Sequence, residues 1–349
     1  MLHNYFNLTI MTSRNLVLVF NSIVFTLLLM GCNKDSDPVA EKVYEEKVVV
    51  ANRGNGTISL IDANTNAVSS TIAIAGSEPM YAVYVPTKDK IYVGDRLGKK
   101  VHIVNPQSKA VEGFVNVGNG VFHMWADGLG KQLWVNNDVD NTISVIDLAT
   151  HTVVQTINVG AKPHDVFLTK DGTKAYVSII TSSTTNDKVY LYNSSNYTKT
   201  AEVNVGKDPH LFHLQGSNKL FVPCQSGQIY TLNGTDLTVI SNSNFVGAHG
   251  IFATNDQNYI FATNIAAGQL YGLNASNSSQ IGAATTTPTG TPHNITINES
   301  GTKLFISHSG AAATAVTIYN LNAGAATYSS TTTAGTNPFG ITYYKREVK

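Results

Sequence analysis

Cysteine is nearly missing from this chain: there are two in 349 residues, Cys32 and Cys224. With Cys32 at the end of an export segment, no disulfide framework remains. Charge is scarce as well. Only 13% of residues are Asp, Glu, Lys or Arg, 23 of each sign. No cluster of Lys and Arg occurs, which excludes nucleic acid as a partner, because phosphate neutralisation dominates that affinity. Signatures of common catalytic machinery are missing too. There is no Gly-x-Ser-x-Gly elbow, Walker loop, His-Glu-x-x-His or haem-attaching Cys-x-x-Cys-His. Long apolar runs are absent with one exception, residues 16–30, where Arg14 is the only charged neighbour within the first 31 residues. That run falls short of the ~18 residues a spanning helix needs. It reads instead as a signal peptide over residues 1–31.

What the chain does have is repetition. Val, Ile, Thr and Tyr are abundant and are punctuated by Gly and Asn, the composition of strands and tight turns. One stretch recurs: GSEPMYAVYVP from Gly76, GNGVFHMWAD from Gly118, GAKPHDVFL from Gly160 and GKDPHLFHL from Gly206. GAHGIFAT from Gly247, GTPHNITI from Gly290 and GTNPFGITY from Gly335 complete the set. Several short strands per unit, at a period of roughly 40–50 residues, mark a β-propeller. Seven copies imply an all-β fold of seven blades over residues 47–349. In the unit at Gly160, Pro163-His164 opens an inner strand and Asp171-Gly172 makes the first hairpin turn, with Gly at a position that favours positive φ. The last copy supplies an inner strand with nothing after it, and Val48–Asn52 and Thr57–Asp62 supply outer strands with nothing before them. Together they predict one composite blade that closes the ring.

Two resemblances add to this reading. Leu28-Leu29-Met30-Gly31-Cys32 resembles the bacterial lipobox, which implies lipidation of Cys32 and a polar tether over residues 32–46. Lys34-Asp35-Ser36-Asp37 is similar to the short acidic signal that sends some lipoproteins to the outer face of the outer membrane. It implies a cell-surface position, with the periplasmic face as the alternative. Tyr92-Val93, Trp134-Val135-Asn136-Asn137 and Thr142 to Asp147, with Gly160-x-x-Pro163-His164 and Asp171-Gly172, resemble the YVTN family of propeller repeats. Some surface lipoproteins of that repeat type deliver corrinoids to an outer-membrane transporter. The resemblance therefore implies a non-enzymatic module that binds a small-molecule ligand or such a transporter. No motif identifies a corrinoid.

The chemistry-bearing residues gather at the blade openings. Met80, Phe122, His164, His210, His249, His293 and Phe339 occupy equivalent places, which a propeller arranges around its channel mouth. His123 is one residue removed. Second-strand ends on that face carry Asn52, Asp95, Asn137, Ile179, Cys224, Asn264 and His308. The expected ligand-binding face is therefore His123, Trp125, His164, Asp165, His210, His249, His293 and His308. Neutral imidazole is the commonest metal ligand. His164, His210, His249 and His293 are thus a candidate site for a transition metal, supporting lactonase-like hydrolysis or redox activity as an alternative function. Repetition offers a plainer reading, in which each ring bonds loop backbone and joins neighbouring blades. Catalysis has thin support, because carboxylates are few here and only Arg53 and Arg96 are near.

Overall fold

A computed structural model describes residues 42–348. The signal peptide, Cys32 and most of the tether lie outside the described residues. Strand follows strand, with no helix among the described residues. The strands form seven antiparallel sheets of four, a seven-bladed β-propeller. Blades 1 to 6 begin with inner strands Pro79–Val85, Val121–Ala126, Lys162–Leu168, Phe212–Leu214, Ala248–Ala253 and Pro292–Ile297. Blade 7 is composite: Pro338–Glu347 is its inner strand, followed outward by Tyr44–Asn52, Thr57–Asp62 and Val68–Ala73. Closure starts earlier than the sequence suggests. Tyr44 pairs with Glu347 and Glu45 with Arg346, so residues 44–46 belong to the blade. Their charge looks like a tether, but it is matched across the strand: Arg346 Nη1 donates to Glu45 at 2.9 Å and Tyr343 Oη to Glu46 at 2.7 Å.

Local chemistry explains the regular grammar. At the turn between third and fourth strands, Asp62 and Asp147 fold their carboxylates back onto backbone. Asp147 Oδ1 accepts from the N–H of Ala149 and Thr150, and Asp62 Oδ1 from Asn64 and Thr65. The second strands of blades 1 to 6 then each plant a large ring between blades. Tyr92, Trp134, Tyr176, Phe221, Phe261 and Phe305 are all fully buried. Where the ring is a Tyr, its hydroxyl reaches the next blade: Tyr176 Oη donates to the Gly234 carbonyl at 2.6 Å, and Tyr92 Oη lies 3.0 Å from His151 Nε2.

The inner strands carry the feature that builds the site. In six blades the register slips at the opening, between Pro79 and Tyr81, Val121 and Met124, Pro163 and Val166, Ala248 and Ile251, Pro292 and Ile295, and opposite Val50/Asn52. A bulge of this kind re-aims side chains that would otherwise alternate between faces. Two successive residues, such as Phe122 and His123, therefore both reach the channel axis, where each packs against the His164 ring.

Candidate functional site

Six blade-opening residues, five of them first in a bulged pair, build a collar of rings around the channel. Centroids are 5.0 Å apart for Phe122–His164, 4.5 Å for His164–His210, 3.9 Å for His210–His249, 4.5 Å for His249–His293 and 4.1 Å for His293–Phe339. Phe339 and Phe122 close the circle at 5.9 Å. Charged groups stand over it. The Arg53 guanidinium lies over Phe339 and bonds Glu78, while that of Arg96 lies over Phe122 and pairs with Asp138 at 2.9 Å.

The second residue of each pair makes a lower layer. His123 packs on Tyr81 at 3.8 Å and donates from Nδ1 to Asp165 Oδ1 at 2.8 Å. The other oxygen of Asp165 accepts the Leu211 N–H at 2.9 Å and lies 3.6 Å from His210 Nδ1. Burial alone raises a carboxyl, yet contact with His123 and His210 holds Asp165 below the ordinary carboxylate range. Burial pushes the channel imidazoles the other way, with help from one another, and His249 and His293 sit well below the usual value. At neutral pH the imidazoles are uncharged and the carboxylate is ionised. Blade 5 has Gly250 in this layer, where an added Cβ would strike the His293 carbonyl. Tyr81, His123, Asp165, His210, Gly250 and Asn294 line a cavity of about 70 Å³.

Deeper along the channel stands an aromatic half-collar. Trp125 stacks on Phe167 at 4.3 Å, Phe167 meets Phe212 at 5.4 Å, and Phe212 meets Phe252 at 5.1 Å. These four rings form the inner wall of a vestibule of about 550 Å³ at the opposite mouth. The first-hairpin residues Lys170, Gln215, Gln257 and Glu299 surround it, with Lys345 from the end of the last strand.

The expected ligand-binding residues thus divide. His164, His210, His249 and His293 share the collar, with His123 and Asp165 directly beneath. Trp125 belongs to the far end. His308 stands apart, fully buried, with Nδ1 at 2.8 Å from the Gly290 carbonyl and Nε2 at 2.7 Å from Thr317 Oγ1. Other second-strand ends latch their own hairpins: Asn52 bonds Thr57 and Ser59, and Asn137 bonds Thr142 and Ser144. Asp95 pairs with His102 at 3.1 Å. Burial pushes the Cys224 thiol far above its ordinary value, so it is inert.

Within the collar the four candidate metal ligands are not equivalent. His249 Nδ1 accepts from Gln225 Nε2 at 3.0 Å and His293 Nδ1 from Asn294 Nδ2 at 2.6 Å. Each therefore carries its proton on Nε2 and has no lone pair to offer. His123, His164 and His210 do converge, presenting nitrogens within 4.8 Å of one another. Reading the blade openings alone hides the place of His123 beside His164 and His210, because the bulge that brings His123 inward leaves no mark in the repeat. The half-collar was missed for another reason. Phe167, Phe212 and Phe252 share Trp125's place in the repeat, but they look like ordinary strand core.

No family model matches the sequence, and no curated protein matches it. Solved structures do resemble the fold. A putative 6-phosphogluconolactonase from Bacteroides uniformis superposes with a TM-score of 0.68 at 15% identity, over 86% of this chain and 99% of that one. Hydrazine synthase of Kuenenia stuttgartiensis superposes with a TM-score of 0.61, also at 15% identity, over 75% of this chain and 89% of that one. At such identity the likeness is one of fold.

Proposed function

We propose that this chain is a lipid-anchored, outer-membrane propeller that captures a small molecule without transforming it, and that the ligand enters the vestibule opposite the histidine collar. One observation carries the reading: a cavity of about 550 Å³ whose inner wall is the row Trp125, Phe167, Phe212 and Phe252. Ligand sites are concave, mostly apolar, of about 300–1,000 Å³, and carry a few polar groups that fix orientation. Here Lys170, Gln215 and Gln257 supply those groups at the rim, beside Lys345, which is paired with Glu299 at 2.7 Å. A planar apolar molecule with a polar or anionic edge suits this combination. At the collar end the arginines are occupied by Glu78 and Asp138. Support for the anchor is the Leu-x-Gly-Cys32 motif, and support for surface display is the acidic stretch after it.

Thermal unfolding in the presence of a library of planar, apolar metabolites tests the binding reading. A ligand at 100 times its Kd stabilises the fold by about 2.7 kcal/mol. Compounds that raise Tm for the wild type but not for Phe212→Ala support the vestibule. Compounds that stabilise both equally, or a library without effect, count against it. The anchor has its own test: labelled fatty acid should enter the wild type in cells and not Cys32→Ser.

A further inference from the structure

We propose that the channel neck holds a divalent transition-metal ion, zinc or copper, on His123, His164 and His210, with Asp165 as the residue that positions two of the three. The proposal does not depend on a ligand in the vestibule.

The buried polar inventory motivates it. Among the described residues, His123 Nε2, His210 Nε2 and His249 Nε2 are buried side-chain nitrogens without a hydrogen-bond partner. Leaving such a group unpaired forfeits its hydration without replacement, and a native fold rarely carries several side by side. The tautomers of His123 and His210 follow from a shared neighbour. The Asp165 carboxylate faces Nδ1 of His123 at 2.8 Å and Nδ1 of His210 at 3.6 Å. Each ring therefore turns its Nδ1 proton toward Asp165 and keeps its lone pair on Nε2. A carboxylate behind a histidine is the arrangement that orients metal ligands and raises their basicity. His164 completes the set, since Nδ1 lies 3.3 Å from the Pro209 carbonyl and so leaves Nε2 available.

Three nitrogens within 4.8 Å of one another form a half-gathered site. Zinc–nitrogen bonds of about 2.0–2.1 Å in tetrahedral geometry set ligand nitrogens roughly 3.4 Å apart. Small rotations of the rings would close that gap on metal entry. Three imidazoles leave a coordination position open, and the adjoining cavity of about 70 Å³ has room for water there. His249 is excluded despite its unpartnered Nε2, because that nitrogen carries the proton. The rings of Trp125, Phe167, Phe212 and Phe252 line both this cavity and the vestibule, which makes the far mouth the route of entry.

The test uses untagged full-length protein stripped with chelator, dialysed against zinc chloride and assayed for bound metal, then loaded with cobalt for its visible spectrum. We expect one zinc per chain and cobalt bands of a low-coordinate, nitrogen-ligated ion. Zinc should be lost in His210→Ala and in His123→Ala, bound roughly 10–100-fold more weakly in Asp165→Asn, and retained in His293→Ala. Cooperative thermal unfolding of each metal-free variant shows whether it has folded. If a variant has not, the wild-type cobalt spectrum decides alone. Wild type that binds no zinc, zinc that survives His210→Ala, or cobalt bands typical of an octahedral aquo ion would overturn the site and leave water as the partner of the buried nitrogens.

Discussion

His123 Nδ1 lies 2.8 Å from Asp165 Oδ1 across the boundary between blades 2 and 3, with both side chains buried. The same carboxylate accepts the Leu211 N–H of blade 4 at 2.9 Å. One acidic group thus ties three consecutive blades at the channel axis. Removing it strands three buried donors, the His123 ring and the N–H groups of Leu211 and Val166. Asp165→Ala should lower unfolding free energy by about 3 kcal/mol, measured by urea denaturation of metal-free protein. Asp165→Asn should cost less, since the amide oxygen still accepts one bond. Equal, negligible losses would mean that the axis is not a structural joint.

Closure by the composite blade gives a second prediction. Arg346, only 5% exposed, donates to Asp89 at 2.8 and 2.9 Å and to Glu45 at 2.9 Å. It therefore links the last strand both to blade 1 and to the first strand. Arg346→Ala should destabilise by about 2 kcal/mol, less than a fully buried pair because Asp89 is partly exposed. Arg346→Lys should recover only part of it, since a lysine cannot bridge both acids in that geometry. Chemical denaturation of the two variants distinguishes these outcomes.

Contacts between blades are testable one hydroxyl at a time. Tyr176→Phe removes the bond to the Gly234 carbonyl and leaves the ring in place. The expected cost is about 1 kcal/mol. Tyr176→Ala removes a fully buried ring as well and should cost about 3–5 kcal/mol. Similar losses in the two variants would show that the ring contributes little.

Stability should fall on the acid side. His308 and His213, like the channel imidazoles, are held below their ordinary value, with burial as the main cause. A histidine near 6.5 when unfolded and lower when folded binds more protons unfolded. Its contribution is complete above about pH 6.5 and is lost as pH falls from there through the folded value. Urea midpoints should therefore drop between about pH 6.5 and 5, before most carboxylates titrate. His308→Gln should show a shallower slope than the wild type. A flat profile over that window would contradict neutral burial.

Much of this was legible in the residues. The seven GxxPH-like openings fix blade number and frame, and orphan strands at the two ends imply the composite blade, because propeller strands must pair. Side-chain direction at the openings was not legible. A bulge adds one residue without altering composition, so His123 looks one place out of register when it is brought inward. Whether an imidazole offers a lone pair or a proton depends on partners such as Gln225 and Asn294. Gln225 lies in another part of the repeat and Asn294 immediately beside His293. His308 shows the same limit: its place at a strand end suggests the rim, while Thr317 nine residues on takes up its Nε2.

The most direct measurement is tryptophan emission. The chain has two tryptophans. Trp134 is fully buried between blades with Nε1 bonded to Gln132 at 2.9 Å, whereas Trp125 lines the vestibule. Titration with 1-anilinonaphthalene-8-sulfonate, planar and anionic, should saturate at one molecule per chain. It should quench emission in the wild type and in Trp134→Phe, provided the latter folds. In Trp125→Phe the dye should still bind and be excited through Trp134, which pairs with residue 125 on the adjacent strand. Emission unchanged by the dye, or one-to-one dye binding that persists undiminished in Phe212→Ala, would contradict ligand capture in the vestibule.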